Sequence, residues 1–194
     1  LAKALEIADE LGLDTSADSY IGWAETGRIA DGQKFLATIT HTDVVPEGNG
    51  WSDPYTVRVR DGWLLGRGVA DDKGPSILCL YALKYLKDSG AALKTPCGLL
   101  GANEETNMHD VDYYAEHYPM PAFCYAGAEF PVCNGEKGGF NGELVSPKFE
   151  NGIISVEGGV AHNAVPDRAS CTVQVGAGAL VQTEGVTFEA GEGV

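Results

Sequence analysis

Basic residues are scarce in this 194-residue sequence, which has 13 Lys and Arg against 28 Asp and Glu and a net charge of −15. A chain this acidic lacks the basic patches that bind nucleic acid or anionic membranes, so we expect neither as a partner. Apolar runs are also short, and none approaches the ~20 residues that span a bilayer. The sequence begins at Leu1 and ends in what reads as an unfinished strand, so we expect it to be part of a longer protein.

Closely spaced cysteine pairs are missing as well. The five cysteines are odd in number and widely spaced, and no CxxC motif occurs among Cys79, Cys97, Cys124, Cys133 and Cys171. Paired cysteines at short spacing would indicate a disulfide framework or a thiolate metal site. The observed spacing instead predicts reduced, mostly buried thiols in a cytoplasmic protein.

The hydrophobic pattern predicts alternating strands and helices in the first 140 residues or so. Helices are expected at the N-terminus, over 1–13, and at two later segments, 75–87 and 111–117. Strands are expected at 18–24, 34–40, 97–102 and 130–132, with a hairpin of 55–60 and 63–65 around Asp61-Gly62. This alternation is typical of a three-layer α/β sandwich with a mostly parallel sheet.

The pattern changes after Pro147, where short strands separated by glycine-rich turns are expected at 153–157, 170–175 and 186–189. The change predicts a domain boundary near 145–150, with one domain over 1–149 and the beginning of a second over 150–194.

Three short motifs stand where a strand or loop gives way to a turn or helix: His41-Thr42-Asp43, Asp71-Asp72 and Glu104-Glu105. In a parallel sheet such positions converge at one edge. A neutral imidazole can bind zinc while a carboxylate fixes its tautomer. Two adjacent carboxylates repel each other unless a cation lies between them. Together the motifs predict a metal site.

Each motif taken alone has a simpler interpretation. A His-x-Asp segment is common in surface loops, and acidic residues at a helix start often accept hydrogen bonds from backbone N–H groups. A Glu-Glu pair can be a solvated loop. His109 and His117 are interpreted as surface residues, and His162 as a structural one.

In combination, the motifs closely resemble those of the dinuclear zinc peptidases that include carboxypeptidase G, succinyl-diaminopimelate desuccinylase and the PepV-type dipeptidases. The resemblance covers residues 1–175. It rests on His41-Thr42-Asp43-Val44-Val45-Pro46, Trp51, Asp53-Pro54, the run from Gly66 to Pro75, and Asn103-Glu104-Glu105-Thr106-Asn107. The segments Phe130-Pro131-Val132 and Gly135-Glu136-Lys137-Gly138 resemble the PepV-type branch.

The resemblance implies roles for five residues. His41 would bind one zinc ion, Asp71 would bridge two, and Glu105 would bind the other. Glu104 would be the general base that takes a proton from a metal-bridging water, and Asp43 would orient His41. The implied reaction is hydrolysis of dipeptides or similar small amides with two zinc ions, or with other divalent cations such as cobalt or manganese. The family's fold implies that 1–149 is the N-terminal part of the catalytic domain and 150–194 the start of an α+β lid.

Two departures from the family pattern are visible. Gly127 stands where the family has a ligand Asp, with Glu129 nearby, and the family's final His ligand would lie beyond Val194. Each zinc would therefore lack one protein ligand, so we expect this chain alone to bind metal weakly and to be inactive. Gly127 also favours an alternative, an inactive homologue. A second alternative is a deacylase of the same family that acts on N-acyl amino acids.

Overall fold

The computed structural model describes residues 1–48, 50–91, 96–126, 134–135, 137–140, 142–148, 150, 152–159 and 165–189. The chain divides into two compact units, Leu1–Glu136 and Lys137–Val194. Gly127, Glu129, the predicted strand 130–132 and His162 lie outside the described residues. The assignment of 1–149 and 150–194 to a catalytic domain and a lid stays a prediction.

In the described part of the first unit, three α-helices form where apolar residues recur at helical spacing. They are α1 (Ala2–Glu10), α2 (Gly74–Ser89) and α3 (His109–His117). Pro75 lies in the first turn of α2, and Gly90 ends this helix in the left-handed conformation (φ 64°) that glycine adopts without strain. All three helices were predicted. Among the described residues, the helices are too short or too polar to cross a membrane.

The main sheet has five strands in the order β1-β2-β6-β3-β7. They are β1 (Asp14–Asp18), β2 (Ile21–Glu25), β3 (Leu36–His41), β6 (Pro96–Gly101) and β7 (Phe123–Ala126). Strand β3 runs parallel to β6 and β7, whereas β2 pairs antiparallel with β6 and with β1. The α/β fold is confirmed, and the sheet is mixed because an N-terminal hairpin extends its parallel part.

A smaller hairpin consists of β4 (Arg58–Arg60) and β5 (Trp63–Leu65). Asp61 and Gly62 both have positive φ, 51° and 82°, as a two-residue hairpin turn requires. This hairpin was predicted, with a longer first strand. In the second unit, β8 (Ile153–Gly158) pairs antiparallel with β9 (Ala169–Val173).

Apolar side chains pack on both faces of the main sheet, which makes the first unit three-layered. On one face Ala8, Leu80 and Leu83, from α1 and α2, pack with Leu100. On the other face Tyr114 of α3 packs with residues that include Cys97 and Leu99. Strand β6 is buried along its whole length, as expected of a strand covered on both sides. Its ends are therefore fixed relative to its neighbours.

Three expectations were wrong. Residues 18–24 do not form one strand, because the chain turns at Ser19 (φ 52°) between β1 and β2. Residues 186–189 form no strand in the part of the chain that the structure describes. The four described cysteines are free thiols, but Cys97 alone among them is buried, and Cys124 and Cys171 are exposed.

Candidate metal centre

His41 ends β3, and the segment that leads into α2 holds its backbone. The N–H of His41 donates to Oδ2 of Asp72 at 3.1 Å. The buried hydroxyl of Ser76, in the first turn of α2, lies 3.2 Å from the carbonyl oxygen of His41 and 2.8 Å from that of Asp72. Asp72 therefore does not cap α2, as the simpler interpretation had it. It fixes the end of β3 instead.

The imidazole of His41 is surrounded by carboxylates. Nε2 lies 2.9 Å from Oδ1 of Asp71 and 3.7 Å from Oε2 of Glu104. Nδ1 lies 3.4 Å from Oδ1 of Asp43 and 3.2 Å from the carbonyl oxygen of that residue. Burial alone would lower the pKa of His41, but the hydrogen bond to Asp71 and the negative charges of Glu104, Asp71 and Asp72 raise it overall.

Glu104 and Glu105 follow β6, and their turn lies beside Asp43. The N–H of Glu104 donates to Oδ1 of Asp43 at 3.3 Å, and the N–H of Glu105 donates to Oδ2 at 3.0 Å. The N–H and the hydroxyl of Thr42 both donate to the carbonyl oxygen of Gly101, at 2.8 and 3.0 Å. These bonds join the segment after β3 to the segment after β6.

Burial raises the pKa of Glu104, and the negative charges of Glu105, Asp71 and Asp43 raise it further against the opposing effect of His41. The pKa of Asp72 is also raised, first by burial and then by the charge of Asp71. So many carboxylates in one place would repel each other without a compensating cation.

Ligand atoms of His41, Asp71 and Glu105 all lie within 4.8 Å of one another. Sequence analysis predicted that these three side chains lie together, and they do; their roles as ligands stay predictions. One imidazole nitrogen and two carboxylate oxygens are donors that zinc and similar divalent cations take in proteins. The donor set therefore fits a divalent cation.

Two other described histidines lie outside this cluster. His109 is exposed, and His117 is exposed and stacks on Tyr113 with ring centroids 4.2 Å apart, so both are surface residues as expected. Sequence reasoning missed Asp72, Ser76 and Asp110, whose side chains form hydrogen bonds with backbone groups of His41 and Asn103. Gly101, a glycine at the end of a buried strand next to an acidic turn, is a signal that could have indicated close packing there.

Comparisons with known proteins find relatives in both sequence and structure. The profile of Peptidase family M20/M25/M40 matches residues 37–186. A Beta-Ala-Xaa dipeptidase from Lactobacillus delbrueckii subsp. lactis is 36% identical over 181 residues, which are 89% of this chain and 38% of that protein. The chain thus spans about two fifths of the length of the relatives it matches.

Two solved structures resemble the fold. Human carnosine dipeptidase 1 is 19% identical with a TM-score of 0.52, and the likeness covers 66% of this chain and 32% of that one. An M20 family metallo-carboxypeptidase from Sulfolobus solfataricus is 18% identical with a TM-score of 0.52, over 66% of this chain and 31% of that one. At these identities the likeness supports the fold alone.

Proposed function

This chain belongs to Peptidase family M20/M25/M40, and from that premise we propose that the complete protein containing it is a zinc-dependent dipeptidase. The observation that carries the proposal is the cluster of His41, Asp71 and Glu105, with Glu104 beside it. The name of the Lactobacillus relative, a dipeptidase, supports a small peptide as substrate.

His41, Asp71 and Glu105 are the residues that would hold the metal, with Asp71 bridging two ions. A bound zinc pair supplies Lewis acidity, which polarises a peptide carbonyl and makes water more acidic. Asp71 suits the bridging role because a carboxylate has two oxygens, and one of them, Oδ1, lies 2.9 Å from Nε2 of His41. Cobalt or manganese ions could occupy the same donors.

Glu104 is the proposed general base. Its carboxylate lies beside the cluster, 3.7 Å from Nε2 of His41. Burial raises the pKa of Glu104, which favours proton acceptance by its carboxylate over that of an exposed glutamate. In the proposed reaction Glu104 takes a proton from the attacking water and then gives it to the leaving amine, so the residue ends in its starting state.

Asp43 is proposed to orient His41. The carbonyl oxygen of Asp43 lies 3.2 Å from Nδ1 and can accept a proton that Nδ1 carries. The carboxylate of Asp43 lies 3.4 Å from Nδ1, at ion-pair distance. A proton on Nδ1 leaves Nε2, the nitrogen that faces Asp71, free to bind metal.

We also retain the prediction of a cytoplasmic location, which rests on the number and spacing of the cysteines.

Hydrolysis assays of the complete protein separate the proposal from its alternatives. A panel of dipeptides and of N-acetyl amino acids should be assayed as purified, after chelation, and after zinc is restored. We expect dipeptide hydrolysis that chelation abolishes and zinc restores. Hydrolysis of the N-acetyl amino acids alone would replace the proposal with the deacylase alternative.

The inactive-homologue alternative is favoured by Gly127, the position where the family has a ligand Asp. Zinc binding without hydrolysis of any substrate in the panel would support it. In that case Gly127→Asp should restore both dipeptide hydrolysis and affinity for a second zinc ion. Full activity with Gly127 in place would instead remove the main support for this alternative.

A further inference from the structure

The carboxylate of Asp110, in the first turn of α3, lies behind the Glu104–Glu105 turn. Asp110 is 1% exposed. It accepts hydrogen bonds from the N–H of Asn103 at 2.9 Å and from the N–H of Val111 at 2.8 Å. Among the described residues it forms no ion pair with Lys or Arg. Burying a carboxylate costs free energy, and the two backbone N–H groups offset this cost only while they stay in place. The hydrogen bond from Asn103 is therefore expected to persist in the folded protein.

Three successive backbone N–H groups of the acidic turn each donate to a carboxylate. Asn103 donates to Asp110, and Glu104 and Glu105 donate to the two oxygens of Asp43. Asp43 holds the turn from the side of His41, and Asp110 holds it from the side of α3. The backbone that carries Glu104 and Glu105 is therefore fixed from two directions.

Gly101 makes the approach of Asp110 possible. A Cβ atom at position 101 would overlap Oδ2 of Asp110, so any side chain there would displace the carboxylate. The same glycine accepts both hydrogen bonds from Thr42 through its carbonyl oxygen. Gly101 thus connects Asp110 to the end of β6 and, through Thr42, to the residue that follows His41.

We propose that Asp110 is a positioning residue for the metal centre: it fixes the turn so that Glu105 stays beside His41 and Asp71. This inference rests on the proposed metal site. A role confined to α3 is the simpler interpretation, because an acidic residue in the first turn of a helix is stabilised by the helix dipole. That role accounts for the bond to Val111 but not for the bond to Asn103, six residues before the first residue of α3.

The test replaces Asp110 by Asn in the complete protein. Asn keeps the size of the side chain but has one oxygen for the two N–H groups, so one bond is lost. Zinc affinity should fall about 10- to 100-fold, the usual effect of changing a residue that supports a metal ligand. Affinity is measured by competition with a chelator well below the melting temperature. Asp112→Asn removes the same charge from an exposed position of α3 and should leave zinc affinity unchanged.

A second readout does not need metal. In the metal-free protein, Asp110→Asn should speed hydrogen exchange at the N–H groups of Glu104 and Glu105, which Asp110 does not touch, as well as at Asn103. Gly101→Ala disturbs the same contact from the other side and should act in the same direction on affinity and exchange. The Gly101 variant keeps the inference testable if Asp110→Asn folds poorly.

The outcomes separate this inference from the proposed function. One outcome would overturn the positioning role but not the metal site. It is unchanged zinc affinity in Asp110→Asn, together with either a lower melting temperature or faster exchange at Asn103 and Val111 alone. Failure of the wild-type protein to bind zinc would overturn the proposed function. Faster exchange at Glu104 and Glu105 would then still show that Asp110 holds the turn, and unchanged exchange there would overturn that as well.

Discussion

Glu104 and Glu105 are neighbours in sequence, yet their side chains have different surroundings. A ligand atom of Glu105 lies within 4.8 Å of those of His41 and Asp71, whereas Glu104 lies 3.7 Å from His41 and has a raised pKa, mainly through burial. These surroundings suit a ligand at 105 and a base at 104. Adjacent residues point apart on a strand, so it is the turn after β6 that brings both to one site.

Substitution of each glutamate by glutamine should separate the two roles. Glu104→Gln in the complete protein should keep its zinc content and lose about 10²–10⁴ in rate, because a general base is removed. Glu105→Gln should lower zinc affinity. Zinc stoichiometry and turnover are measured for both variants. If Glu104→Gln loses zinc while Glu105→Gln keeps both zinc and activity, the roles must be exchanged.

The cluster residues could be predicted from the sequence because each belongs to a motif at the end of a strand or the start of a helix. Asp110 could not, because one acidic residue near a helix start has no distinguishing pattern, and its partner Asn103 is identified by backbone geometry alone. A helix cap was the simpler interpretation of Asp71-Asp72, and the actual partner of Asp72, the N–H of His41, is 31 residues away. Contacts of this kind depend on the tertiary fold.

The sequence pattern failed to predict two parts of the main sheet, the N-terminal hairpin and strand β7. Strand β1, Asp14–Asp18, is polar and mostly exposed, and the turn at Ser19-Tyr20 lacks the Asn-Gly or Asp-Gly pair that most strongly indicates a two-residue hairpin. The buried strands β3 and β6 were predicted because they are apolar runs. Tertiary contacts hold the hairpin instead. The hydroxyls of Tyr113, in α3, and of Tyr118, just after it, both donate to Asp18 at the end of β1.

The contact between Asp18 and Tyr118 should make stability depend on pH. The hydrogen bonds from Tyr118 and Tyr113 lower the pKa of Asp18. The pKa of Asp18 is therefore lower in the folded protein than in the unfolded chain, where it is about 3.9, so ionised Asp18 stabilises the fold at pH values above about 3.9. This contribution is lost as the pH falls through the folded-state pKa. Tyr118→Phe should therefore lower the free energy of unfolding at pH 7, and by less below about pH 4.

Urea unfolding followed by tryptophan fluorescence checks this, since Trp23 contacts Tyr118 with ring centroids 4.6 Å apart. Tyr20→Phe is a matched control, because the Tyr20 hydroxyl has no hydrogen bond within the described part of the chain. Its effect should not change with pH. A loss in Tyr118→Phe that stays constant or grows on acidification would contradict the assignment.

The site is assembled from three distant stretches of the chain. The parallel register of β3 and β6 places His41 opposite Gly101, so the loops after both strands meet at one edge. The segment before α2 brings Asp71 and Asp72 to the same edge. The order of motifs and strands in the sequence was enough to predict this convergence, because the ends of parallel strands meet. The antiparallel extension by β1 and β2 does not alter it.

The most direct test is the zinc stoichiometry of the complete protein, purified without chelator, in the wild type and in Asp71→Asn. Asp71 is proposed to bridge both ions, and asparagine keeps its size while removing the charge that a bridge requires. We predict two zinc ions per chain in the wild type, loss of both in Asp71→Asn, and no loss in the exposed control Asp88→Asn. A wild-type protein without zinc, or Asp71→Asn with two ions bound as tightly as the wild type, would contradict the proposed metal centre.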